Sequence, residues 1–136
     1  MHKVDILAFG AHPDDVELGC SGTILLQLSL GYKVGVIDLT KGELGTRGNA
    51  KIRLKEANIA SQKMGVSFRE NLNFSDGFFE NNKNNKLEII KIIRLCRPDI
   101  ILCNTRQDRH PDHGNAANLI NDASFLSGLV KIKTKI

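Results

Sequence analysis

Two short loops of this sequence carry histidine and aspartate at matching spacing. Residues 11–15 read AHPDD and residues 109–113 read RHPDH. Two imidazoles and one carboxylate from these loops would make a three-ligand site with a fourth position open for water, which is the layout of a catalytic zinc ion. Magnesium and calcium prefer all-oxygen shells, whereas manganese, cobalt or iron could use the same ligands as zinc.

Each motif alone is a weak signal. An aspartate at the start of a helix is more often a helix cap than a ligand, and a single surface histidine usually has no function. The metal-site interpretation therefore depends on whether the fold brings the two loops together.

The segments around these loops alternate between strand-like and helix-like patterns. Strands are predicted over residues 4–10, 33–40, 66–74 and 99–104, of which the first two are expected to be buried. Helices are predicted over residues 14–30, 49–64, 87–96 and 112–124. Gly65 is the predicted C-terminal stop of the second helix, and residues 76–85 are predicted to form an exposed loop.

This alternation predicts an α/β fold, Rossmann-like, with three α/β/α layers and a mostly parallel sheet. In the usual strand order 3-2-1-4, the first and fourth strands are neighbours about 4.8 Å apart, and ligands bind in the crevice at their carboxyl ends. Both histidine loops start there. No repeat or linker divides residues 1–136, so a single domain is predicted.

Composition excludes several classes of protein. The net charge is +4, but the basic residues are scattered among 15 carboxylates, and the chain has one Tyr and no Trp, so nucleic-acid binding is not expected. No stretch is long and apolar enough for a membrane span or a signal peptide, which predicts a cytoplasmic protein. Cys20, Cys96 and Cys103 form no CxxC pair and are interpreted as small core residues.

A dinucleotide-binding module is an alternative, because Asp38 ends the second strand where a ribose-binding acid could lie. The first turn lacks the GxGxxG spacing. Asp14, Asp15 and Glu17 would also place negative charge where a pyrophosphate has to dock. A metal cation suits these carboxylates better.

Three motifs in order, HPDD after the first strand, TKGELGTRG after the second and HPDH after the fourth, resemble the LmbE-like zinc deacetylase family over residues 4–130. The sequence is most similar to the bacillithiol-biosynthesis enzymes that deacetylate N-acetylglucosaminyl malate. The resemblance implies these roles: zinc ligands His12, Asp15 and His113, general base Asp14, oxyanion stabiliser His110, and substrate-binding residue Arg53.

These roles are chemically consistent with zinc-dependent hydrolysis of the N-acetyl amide of an N-acetylglucosaminyl conjugate, with one Zn²⁺ per chain. Asp112 could favour the protonated form of His110. Arg47 and Arg53 could bind an anion such as malate through paired hydrogen bonds, although solvated surface charges are the alternative. The partners implied are a small N-acetylated amino sugar and further copies of the chain in a homo-oligomer.

Two alternatives for the function stay open. Members of the family continue well past residue 136, and residues 130–136 resemble the start of a strand. The chain would then be the N-terminal part of the domain, and a zinc-binding fragment without turnover is one alternative. The other is a deacetylase of a different N-acetylated amino sugar, such as a chitooligosaccharide.

Overall fold

The computed structural model describes residues 1–135, in which strands and helices alternate. The strands are β1 (Ile6–Gly10), β2 (Val34–Thr40), β3 (Phe68–Phe74) and β4 (Ile100–Leu102). The helices are α1 (Asp15–Ser29), α2 (Ala50–Met64), α3 (Lys83–Cys96) and α4 (Pro111–Leu126). The predicted alternation of strands and helices is therefore confirmed.

Within residues 1–135, the strands form one parallel sheet in the order β3-β2-β1-β4, as the sequence predicts. Strands β1 and β2 are buried along their whole length, which is typical of parallel strands covered on both faces. Strand β4 pairs with β1 from Ile6↔Ile100 to Ala8↔Leu102. The carboxyl ends of β1 and β4 therefore lie side by side, and both histidine loops leave the sheet there.

Successive residues of β1 point to opposite faces of the sheet, which divides the core into two layers. Leu7 and Phe9 pack in one cluster with apolar residues of α3 and α4. Ile6 and Ala8 pack in the other, together with Val16 of α1. Helices thus cover each face of the sheet, which gives the expected three-layer α/β/α architecture.

Side chains and backbone conformation define where α2 and α3 begin and end. Asn49 accepts a hydrogen bond from the N–H of Ile52 at 2.9 Å, and Asn82 accepts one from Asn85 at 2.9 Å. Helix α2 stops at Gly65 in the left-handed region, with φ +86°, where glycine has no steric cost; this stop was predicted. Among residues 1–135, no helix is both long and apolar enough to cross a membrane.

A buried ion pair connects α1, β2 and β3. The guanidinium of Arg69 donates two hydrogen bonds to Asp38, at 2.7 and 2.9 Å, and lies 3.0 Å from Glu17. Burial raises the pKa of Asp38 to about 6 although Arg69 lowers it, so the carboxylate is still ionised at neutral pH. Because Asp38 is only 1% exposed and is paired with Arg69, a ribose cannot reach it, which counts against the dinucleotide alternative.

Two predictions from the sequence are wrong in part. The exposed loop predicted over residues 76–85 contains two buried residues, Asp76 and Phe79, and α3 begins within it, at Lys83. Phe79 is buried because it packs in the core cluster beside α3 and α4. The cysteines also differ, since Cys96 is buried as expected but Cys103 is exposed beyond the end of β4 and Cys20 is only half-buried.

The strand predicted to start at residues 130–136 does not form over residues 130–135, and Ile136 lies outside the described residues. Arg94 of α3 explains why this segment turns instead. Its guanidinium donates to the carbonyls of Leu129 and Ile132 at 3.0 and 2.8 Å. These bonds hold the segment against α3 rather than along the sheet.

Gly35 of β2 lies under the ring of Phe68 and offers a test of sheet packing. A Cβ at Gly35 would approach the ring to 2.2 Å, so Gly35→Ala must displace it. We expect a loss of about 1–3 kcal/mol in the free energy of unfolding, the usual cost of overpacking. Urea denaturation measures this change.

Gly22→Ala is the matched control, because a Cβ at Gly22 of α1 would meet nothing within 4 Å. Alanine is favoured over glycine inside a helix by about 0.5–1 kcal/mol, so this variant should be slightly more stable than the wild type. Equal stability of Gly35→Ala and the wild type would contradict the observed packing.

Candidate metal centre

The two histidine loops are joined by Asn104, which follows β4. Its side-chain oxygen accepts a hydrogen bond from the N–H of Ala11 at 3.0 Å, and its side-chain nitrogen donates to Asp15 at 3.2 Å. The N–H of His12 donates to the same carboxylate at 2.9 Å. Both loops therefore hold the Asp15 carboxylate in place.

His12, Asp15 and His113 converge at this edge of the sheet, with one potential ligand atom from each within 4.8 Å of the others. The Oδ2 atom of Asp15 is 3.5 Å from His12 Nδ1 and 3.3 Å from His113 Nε2. All three side chains are largely shielded from solvent. Two ring nitrogens and one carboxylate oxygen so close together fit the ligand set of a zinc ion.

A second group, His12, His110 and Asp112, also lies within 4.8 Å and shares His12. In this group the nitrogens already have partners. His12 Nε2 is 2.9 Å from Asp112 Oδ2 and 3.0 Å from Asp76 Oδ1, and His110 Nδ1 accepts the N–H of Asp112 at 3.1 Å. The group containing His113 is the better candidate, because His12 Nδ1 and His113 Nε2 both face the Asp15 carboxylate.

Electrostatic interactions couple His12 to the carboxylates around it. Burial lowers the pKa of His12, but hydrogen bonds to Asp15 and Asp112 and the charges of Asp15 and Asp76 raise it to about 9. Burial raises the pKa of Asp15, whereas the hydrogen bonds and charge of His12 and the charge of His113 lower it to about 2. Without metal, the centre at neutral pH is therefore an imidazolium among carboxylates, and a metal cation would replace that proton.

Asp76 is a residue of this centre that the sequence analysis missed. Its Oδ1 contacts His12 Nε2, its Oδ2 accepts the N–H of Leu44 at 2.9 Å, and its own N–H donates to Glu43 at 3.0 Å. Asp76 thus connects the centre to the glycine-rich loop at residues 41–48. An acidic residue just after β3, before a glycine, was the available signal, since the carboxyl end of β3 lies at the same edge of the sheet.

Asp14, the predicted general base, lies at the rim of the centre and is paired with Arg53. Its carboxylate is half-exposed and lies 3.2 Å from Arg53 Nη2. Arg53 Nη1 donates to the carbonyl of Gly42 at 3.1 Å. Both charged residues line an open cleft of about 400 Å³ together with the exposed Arg47.

The expected influence of Asp112 on His110 takes a different form in the structure. The Asp112 carboxylate accepts the N–H of Gly77 at 3.0 Å and contacts His12, while its backbone N–H donates to His110 Nδ1. A ring nitrogen that accepts a hydrogen bond carries no proton. His110 is thus the N-cap of α4, with Nδ1 as an acceptor, whereas the sequence suggested a contact of His110 with the Asp112 carboxylate.

Comparison with known proteins identifies relatives of this chain. The model of the family described as PIG-L, GlcNAc-PI de-N-acetylase, matches residues 7–124. The diacetylchitobiose deacetylase of Thermococcus kodakarensis is 31% identical over 134 residues, which cover 91% of this chain and 50% of that protein. The chain therefore spans about half the length of this relative.

Two solved structures are similar over almost the whole chain. A conserved protein from Thermus thermophilus has a TM-score of 0.92 at 38% identity, covering 98% of this chain and 60% of that one. The N,N'-diacetylchitobiose deacetylase from Pyrococcus horikoshii, in complex with an inhibitor, has a TM-score of 0.87 at 27% identity, covering 93% of this chain and 51% of that one.

Substitution of single histidines distinguishes the two overlapping groups of potential ligands. His113→Ala removes a nitrogen that faces Asp15, so the dissociation constant for zinc should rise by about 100-fold or more. His110→Ala should leave it within about threefold of the wild-type value, because His110 belongs only to the second group. Competition with a chromophoric chelator gives both constants. The opposite pattern would place the metal in the second group.

Proposed function

This chain belongs to the GlcNAc-PI de-N-acetylase (PIG-L) family, and on this basis we propose that it is a metal-dependent amide hydrolase that releases acetate from an N-acetylated amino sugar. The observation that carries the proposal is the convergence of His12, Asp15 and His113 at the edge where β1 and β4 end. Asp14 beside these residues supplies the proton-transferring group that a purely structural metal site does not need.

Zinc is the metal we propose, with His12, Asp15 and His113 as its ligands. The donor atoms of these residues suit zinc, since two nitrogens and one oxygen within 4.8 Å of one another favour zinc over magnesium or calcium. When bound, zinc would act as a Lewis acid that polarises the amide carbonyl and makes water a better nucleophile.

Asp14 is proposed to take the proton from the attacking water and to deliver it to the leaving amine. Its position next to Asp15 brings the carboxylate to the rim of the centre, and its half-exposed side chain leaves room for water and substrate. The contact with Arg53 orients the carboxylate. One group can serve both steps because the amine becomes basic as the carbon–nitrogen bond breaks.

His110 is proposed to stabilise the negative oxygen that develops on the amide carbonyl. With Nδ1 accepting the N–H of Asp112, the ring can donate a hydrogen bond through Nε2. This interaction needs only a neutral imidazole, positioned before the reaction by the first turn of α4. A preorganised donor of this kind contributes to catalysis without reorganising during the reaction.

N-acetylglucosaminyl malate, the substrate in bacillithiol biosynthesis, is our first proposal for the substrate. Arg47 and Arg53 line the cleft beside Asp14, and a guanidinium can bind a carboxylate through paired hydrogen bonds. A malate group would supply that anion while the N-acetyl group lies toward the metal centre.

A chitooligosaccharide is the second candidate, and the comparisons favour it specifically. Relatives at 31% and 27% identity are named as deacetylases of diacetylchitobiose. In that case, the residues of the cleft would bind sugar hydroxyls instead of an anion. Both candidates share the same chemistry at the amide and differ only in what the cleft binds.

Turnover by the zinc-loaded chain tests the proposed activity. We expect release of primary amine from N-acetylglucosaminyl malate or from N,N'-diacetylchitobiose, and the preferred substrate decides between the two candidates. Asp14→Asn should lower kcat by about 100- to 10,000-fold, the usual contribution of a general base. Its dissociation constant for zinc should not change.

Zinc content measured on the same preparations separates the possible outcomes. An Asp14→Asn protein that loses its zinc would contradict the role assigned to Asp14. Zinc bound in the wild type without amine release would support the alternative, in which these residues bind metal but do not catalyse. The His113→Ala variant is the control for amine released by contaminating enzymes.

Substitutions of Arg53 and Arg47 test the proposed anion site. Arg53→Ala should raise KM for N-acetylglucosaminyl malate by about 10- to 100-fold, the cost of losing a charge-assisted hydrogen bond. It should also lower kcat, because Arg53 contacts Asp14. Arg47→Ala should raise KM alone, since Arg47 is an exposed residue at the rim. Equal effects of Arg53→Ala on the malate conjugate and on free N-acetylglucosamine would show that Arg53 does not bind the anion.

A further inference from the structure

Asp108, in the loop before α4, contacts two residues of the centre. Its Oδ2 lies 2.9 Å from His113 Nδ1, and its Oδ1 accepts the backbone N–H of His110 at 3.1 Å. We infer that Asp108 is a positioning residue that holds His113 in the orientation and tautomer needed to bind a metal ion. This inference rests on the proposed metal site, and its test distinguishes the failure of the two.

If His113 binds a metal ion through Nε2, the single proton of its neutral ring has to lie on Nδ1. A neutral imidazole carries one proton, and a carboxylate beside Nδ1 keeps the proton on that nitrogen. The lone pair is then on Nε2, which lies 3.3 Å from Asp15 Oδ2.

His12 shows the same arrangement on the other side of the centre. Its Nε2 contacts Asp112 and Asp76, while its Nδ1 faces Asp15. Each histidine is thus anchored to a carboxylate through the nitrogen that points away from the centre. Partners of this kind fix the orientation of a ligand histidine and increase its basicity.

The two histidines differ in how firmly they are held. His12 is buried and contacts two buried carboxylates, whereas the side chains of His113 and Asp108 are 20% and 30% exposed. The ring of His110 stacks on that of His113, with 5.0 Å between the ring centroids, but Asp108 is the group within hydrogen-bonding distance of His113 Nδ1. The orientation of His113 should therefore depend strongly on this contact.

The test is the dissociation constant for zinc in Asp108→Ala and Asp108→Asn. Loss of such a partner typically weakens metal binding by about 10- to 100-fold, so this change is expected for Asp108→Ala. At least as large a change is expected for Asp108→Asn, because an amide oxygen that accepts from the N–H of His110 leaves the amide nitrogen, a donor, facing His113 Nδ1. Asp122→Ala is the matched control, because Asp122 is an exposed acidic residue that pairs with Lys86; its affinity for zinc should equal that of the wild type.

Proton NMR of the His113 ring in zinc-loaded protein gives a second readout that does not depend on activity. In the wild type the Nδ1 proton should be shifted downfield and protected from exchange with solvent by its hydrogen bond to Asp108, and both effects should be lost in Asp108→Ala.

Wild-type zinc affinity and an unchanged Nδ1 proton signal in Asp108→Ala would overturn the inference, provided that His113→Ala still loses zinc. Zinc binding that His113→Ala does not weaken would overturn the proposed metal site and this inference together.

Discussion

The contacts of His12 Nε2 with the carboxylates of Asp112 and Asp76 hold three separate segments of the chain in one arrangement. His12 follows β1, Asp76 follows β3 and Asp112 lies in the first turn of α4. Each carboxylate also accepts a backbone N–H, from Leu44 and from Gly77 respectively, but two carboxylates buried this close together repel each other, which costs free energy. The ring between them relieves this cost and thereby fixes which nitrogen of His12 faces Asp15.

The direction of the strands and helices explains why negative charge is concentrated at this edge of the sheet. Parallel strands end here and helices begin, so the N-termini of α1 and α4 favour acidic residues such as Asp15 and Asp112 in their first turns. Arg69 neutralises part of that charge farther from the centre by pairing with Asp38 and Glu17. At the centre itself, nearby carboxylates raise the pKa of His12, so that its imidazolium balances their charge. A bound metal cation would replace the ring proton and supply this positive charge instead.

The fold and the convergence of the histidine loops could be predicted because both depend on local patterns. Apolar periodicity defines the strands, and the strand order places the loops after β1 and β4 at one crevice. Asp76 was missed because the segment after β3 was predicted to be an exposed loop, and its place at the carboxyl end of β3 does not by itself reveal a contact with His12, 64 positions away in sequence. The hydrogen bond of His110 with Asp112 was missed for a related reason: the cap geometry of α4 decides whether the backbone or the carboxylate of Asp112 meets the ring.

The structure explains why the glycine-rich loop at residues 41–48 has a glycine at position 42. This residue has a φ of +63°, and a Cβ there would lie 1.8 Å from Arg53 Nη1. Only a glycine therefore leaves room for the guanidinium to donate to the Gly42 carbonyl and at the same time reach Asp14. A substrate anion that binds Arg53 must share this guanidinium with Asp14. If Arg53 binds the substrate anion as proposed, substrate binding and the orientation of the proposed base would be coupled through this one side chain, whose position requires a glycine at residue 42.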